Sequence, residues 1–60
     1  MKTSEMIKKL KKAGCYIVRH GSSHDLWISP KTGKTFTVPR HPNKELPTGT
    51  ANNISRAAGL

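Results

Sequence analysis

Between Cys15 and Val38 the chain alternates strand-forming runs with gaps that leave room for nothing but hairpins. The runs "CYIVRH" (15–20), "HDLWIS" (24–29) and "TFTV" (35–38) are rich in β-branched and aromatic residues. Gly21-Ser22-Ser23 separates the first two, and "PKTGK" (30–34) separates the second from the third. Pro30 suits an early turn position, and Gly33 can adopt a positive φ. A parallel connection needs a crossover of about a dozen residues or more, which neither gap supplies. The segment is therefore predicted to be a three-stranded antiparallel meander.

The flanks carry helical periodicity. Residues 3–13, "TSEMIKKLKKA", predict a helix with Thr3 as N-cap, Glu5 in the positive first turn, Lys11 and Lys12 in the negative last turn, and Gly14 as the stop. At about 100° per residue Met6, Ile7, Leu10 and Ala13 share one stripe, and Lys8, Lys9, Lys11 and Lys12 cover the other side. Pro39, Pro42 and Pro47 make "PRHPNKELP" an ordered loop. A second helix is predicted over 48–58, with Ala51, Ile54 and Ala58 on one side and Gly59 as terminator. Two one-sided helices and one sheet pack consistently in a single way: both helices lie on one sheet face and the other face stays open. The fold class is thus α+β, α-β-β-β-α, one domain over 1–60, with the topology of the double-stranded-RNA-binding domain.

The chain has sixty residues and one cysteine, Cys15, so no internal disulfide can form. A reducing compartment follows, with Cys15 as a small apolar strand residue. The opening "MKTSEMIKKLKK" is charged throughout, unlike a secretory leader. Nothing approaches the ~20 apolar residues of a membrane span. The expectation is a soluble, cytoplasmic protein without a membrane partner. Eleven Lys and Arg against three Asp and Glu give a net charge of +8, which suits RNA, DNA or an acidic protein as partner.

Three histidines are candidates for chemistry. His20 ends the first strand and is expected to face His24 across the turn. His41 lies in the proline-rich loop, and His24 opens the second strand. His24 and Asp25 are neighbours in a strand, so they point to opposite faces and cannot share an ion. No third ligand lies near the two hairpin histidines, so neither a metal nor another cofactor is expected. Ser22 and Ser23 sit in a turn without a nucleophile elbow, a setting that favours local hydrogen bonding. RNA, however, carries its own nucleophile in the 2′-hydroxyl. An enzyme acting on it need only position the phosphate and move protons, which histidine side chains do near neutral pH.

The pieces "MIKKLKKAGCYIVRHGSSH", "FTVPRHPNKELPTGT" and "ISRAAGL", in this order and spacing, resemble the HicA family of toxins across essentially the whole chain. The resemblance implies a double-stranded-RNA-binding-like fold and a ribosome-independent mRNA interferase that works without a known metal. It also implies catalysis by the histidine after the Gly/Ser turn, a position that His24 matches. The implied partners are mRNA and a HicB-type antitoxin that masks the site, with operator DNA reached only through the antitoxin. Many relatives have two consecutive histidines after the turn, whereas here Asp25 follows and is expected to point away and contribute little. On this reading Lys8, Lys12, Arg19, Ser22, Ser23, Lys34, Arg40 and His41 contact RNA. His41 either approaches the site or fixes the loop, and Tyr16 and Lys34 are further candidates for a second proton-transfer group.

Strand alternation puts His24 with Leu26 and Ile28 on one face and Asp25 with Trp27 on the other. Because the apolar side should meet the helices, a twist or a bulge at the start of the second strand is expected to turn His24 outward. Trp27 is read as core or antitoxin interface, with base stacking as the alternative. Two rivals remain. A non-catalytic RNA-binding module of the same fold would need a lysine cluster at the second helix, where "NKELPTGTANN" offers only Lys44. An adaptor for an acidic protein would bind no RNA at all.

Overall fold

A computed structural model describes residues 1–60. Its elements are α1 (Thr3–Lys12), β1 (Tyr16–His20), β2 (His24–Ile28), β3 (Thr35–Pro39) and α2 (Thr48–Ala58). The strands form one antiparallel sheet in the order β1-β2-β3. Met6 and Leu10 of α1 and Ile54 and Ala58 of α2 join Trp27, Phe36 and Val38 of the sheet in a single core, closed by Cys15 and Leu46. Both helices therefore cover the same sheet face, as the one-sided apolar stripes require. Trp27 is only 3% exposed, so it is a core residue and not a platform for bases. No helix is long and apolar enough to cross a membrane.

The helix ends are satisfied by tertiary contacts more than by local caps. The residue preceding α1 is Lys2, and no side chain caps the helix. Thr3 is not the N-cap expected from the sequence. Its hydroxyl and its N–H both donate to the Lys44 carbonyl at 2.9 Å, and the Ser4 N–H donates to the Pro42 carbonyl at 3.0 Å. Amides left over at a helix start need acceptors, and here the proline-rich loop supplies them. At the other end of the molecule α2 closes with Gly59 at φ 79°, where the Gly59 and Leu60 amides reach back to the Arg56 and Ser55 carbonyls. The two remaining carbonyls, of Ala57 and Ala58, accept from the Thr32 and Ser29 hydroxyls at 2.5 and 2.8 Å. The β2–β3 turn thereby caps α2.

One irregularity decides which side chains share the open face. β1 pairs Tyr16 with Ile28 and Ile17 with Trp27, and then Arg19 with Leu26 and His20 with Asp25. Val18 is the extra residue of a β-bulge. Along β2 the pattern is regular: Asp25, Trp27 and the following Ser29 are buried, while His24 is exposed and Leu26 and Ile28 are half-buried. The expected alternation is present, but β2 starts without a bulge. His24 points outward without one, because Asp25, Trp27 and Ser29 take the helix side and Leu26 and Ile28 accept partial exposure. The bulge lies in β1 instead. Since paired residues share a face, it carries Arg19 to the open side and His20 to the helix side.

Candidate functional site at the hairpin mouth

A groove of about 250 Å³ opens on the uncovered sheet face, lined by Arg19, Gly21, Ser22, His24, Leu26 and Thr37. Each strand contributes. Arg19 comes from β1 by way of the bulge, His24 and Leu26 come from β2, and Thr37 stands opposite Leu26 on β3. Ser23 Oγ and His24 Nδ1 share a hydrogen bond of 2.9 Å. This contact fixes the ring and leaves Nε2 as its atom without a protein partner. The turn behind the ring is tight, with the Gly21 N–H donating to the His24 carbonyl at 2.8 Å. A Cβ at Gly21 would lie 2.4 Å from that same oxygen, so only glycine fits.

On the helix side the mouth is held by Asp25. Its Oδ1 accepts from Arg40 Nη2 at 2.8 Å, from Arg40 Nε at 3.2 Å and from His20 Nδ1 at 2.9 Å. Arg40 Nη2 also donates to the Gly21 carbonyl, and the Arg40 N–H donates to the Ser23 carbonyl at 3.1 Å. The hydrogen bonds from Arg40 and then from His20 lower the Asp25 pKa from its ordinary value, against the opposing effect of desolvation. Asp25 points away from His24, as expected, yet it contributes more than the sequence suggested: it ties both strand ends and the turn into one unit. His20 does not face His24 across the turn, because the bulge turns it to the opposite face.

The residues named from the sequence separate into groups. Arg19, Ser22 and His24 meet in the groove, with Ser23 against the His24 ring. Arg40 is close behind, but its guanidinium is engaged by Asp25 and the Gly21 carbonyl. His41 is exposed two residues beyond Pro39, the β3 partner of His24. Lys8 and Lys12 are exposed on α1, behind the sheet. Lys34 precedes β3 at the far end of the sheet, and Tyr16 pairs with Ile28 about 13 Å along β2 from His24 at the usual strand rise. Thr37 escaped the sequence reading, since only the strand register places it beside Leu26 and His24. Alternation puts Leu26 on the His24 face without marking it as a site residue. Of the three acidic residues, Glu5 lies on α1, Glu45 pairs with the Met1 amine and Asp25 faces the helices. No carboxylate lies on the open sheet face.

These features define a small, strongly basic α+β domain with a histidine-lined groove on its open face, a class suited to polyanions. A family model described as the HicA toxin of bacterial toxin-antitoxin matches residues 3–60. The chain belongs to the HicA toxin family, whose members are generally ribonuclease toxins and whose toxin–antitoxin character implies an antitoxin partner. No curated protein gives a significant match.

Proposed function

We propose that this protein is an endoribonuclease toxin that cleaves mRNA without a metal and is neutralised by an acidic antitoxin of the HicB type. The observation that carries the reading is a ring nitrogen of His24, free of protein partners, beside Arg19 in a groove without carboxylates. The Arg19 guanidinium binds the phosphate, and the Ser22 hydroxyl assists. His24 Nε2 takes the proton of the 2′-hydroxyl as that oxygen attacks the adjacent phosphorus. The bond to the 5′-oxygen breaks, and the leaving oxygen takes a proton from water or from the imidazolium. Arg19 offsets the charge that builds on the phosphoryl oxygens. Lys8 and Lys12, on the far side, act through the long-range field that raises encounter rates with RNA and with an acidic antitoxin.

The products test the chemistry. Single-stranded RNA incubated with the protein should yield 2′,3′-cyclic phosphate or derived 3′-phosphate ends with 5′-hydroxyls, with or without EDTA. Free 3′-hydroxyl ends, or cleavage stopped by EDTA, would refute this mechanism, and tight binding without cleavage would favour the non-catalytic module. A second check uses the turn. Gly21→Ala must push the Gly21–His24 contact apart and shift the ring in the groove. Misplacing a reacting group by about 1 Å can cost about 10²-fold in rate. The variant should lose about that much cleavage while keeping its circular dichroism spectrum, and a wild-type rate would show that the turn does not position His24.

A further inference from the structure

The open face does not end at the His24 groove. The row His24, Leu26, Ile28 runs down its centre, with Thr37 and Thr35 on the β3 side and Arg19 and Tyr16 on the β1 side. Tyr16 is 54% exposed, beside a half-buried Ile28. An apolar floor, flanking hydroxyls, an arginine, an exposed aromatic ring and no carboxylate form one continuous surface leading away from the histidine.

We propose that Tyr16 is a base-stacking platform for single-stranded RNA. A strand whose scissile phosphate sits at His24 runs along β2 toward Ile28, and one of its bases stacks on the Tyr16 ring. This rests on the ribonuclease reading of the groove. The backbones of Tyr16 and His24 stand about 13 Å apart along the sheet, and Tyr16 does not line the His24 groove, so its place suits binding and not the proton transfer at His24. A base stacked on the ring lies further along β2 than the scissile phosphate, so a strand of several nucleotides engages it better than a dinucleotide does. Single strands present unstacked bases to aromatic side chains, whereas a duplex hides them. Because every base has a π-face, such a platform binds RNA with little sequence preference. Leu26 and Ile28, which the fold leaves half-exposed, gain a cover when bases lie over them.

The test compares a dinucleotide with a single-stranded hexanucleotide as cleavage substrates. Tyr16→Leu keeps an apolar side chain on the strand but removes the ring, whereas Tyr16→Phe keeps the ring. Tyr16→Leu should raise KM for the hexanucleotide about tenfold with kcat unchanged. Its dinucleotide kinetics should match those of the wild type, and Tyr16→Phe should behave as wild type on both. Unchanged hexanucleotide kinetics, equal losses on both substrates, or a Tyr16→Phe defect equal to that of Tyr16→Leu would overturn the platform. So would unaltered RNA kinetics with faster dissociation of an acidic partner protein, which would assign Tyr16 to a protein interface. Wild-type protein that cleaves neither substrate overturns the ribonuclease reading, and the platform with it.

Discussion

His24→Ala is expected to lower RNA cleavage by about 10²–10⁴-fold, the usual contribution of one positioned acid or base. The melting temperature should barely move. The ring is exposed, and its one side-chain hydrogen bond is to Ser23, itself an exposed turn residue. Deleting it opens no cavity and leaves no buried group unsatisfied, the two usual causes of large destabilisation. Arg19 and the rest of the groove stay in place, so RNA binding should persist while turnover is lost. The check is a cleavage time course beside a thermal melt. Undiminished cleavage by a folded His24→Ala protein would remove the residue from the mechanism.

The second large effect is on stability. Leu10 is fully buried between α1 and the sheet, and replacing such a leucine with alanine costs about 2–5 kcal/mol. A core in a domain of this size rarely supplies more than about 3–5 kcal/mol. Leu10→Ala should therefore be largely unfolded at room temperature, with a urea midpoint far below that of the wild type. Leu10→Met, which nearly conserves volume, should cost less than about 1.5 kcal/mol. Leu10 is behind the sheet from the groove, so lost activity should track the unfolded fraction and not the chemistry of the remaining folded molecules. A wild-type urea midpoint in Leu10→Ala would separate α1 from the cooperative core.

The element order was readable because turn residues and apolar periodicity are local signals. Gly21-Ser22-Ser23, Gly33 and the three prolines punctuate the middle of the chain, and the stripes of α1 and α2 identify the covered face. What escaped was non-local. Thr3 looks like an N-cap by composition, but its hydroxyl finds a carbonyl forty-one residues away. Ser29 and Thr32 read as strand end and turn, yet both hold the last carbonyls of α2. The bulge left no mark either, since valine is an ordinary strand residue. Without it, alternation would have put His20 on the open face and Arg19 under the helices. The resemblance of the turn before it singles out His24, with Arg19, Ser22 and Ser23 named beside it. What the sequence leaves open is how Arg19 and Thr37 come to its face, because a one-residue slip in β1 and the β2–β3 register decide that.

That slip at Val18 also bears on how the molecule behaves in a crowd. β1 is an outer strand carrying Tyr16, Ile17 and Val18, all substantially exposed. A straight strand of such residues invites a neighbouring copy to zip onto it. A kink with one unmatched residue interrupts the regular ladder that such zipping needs, so β1 offers a second copy a broken edge at Val18.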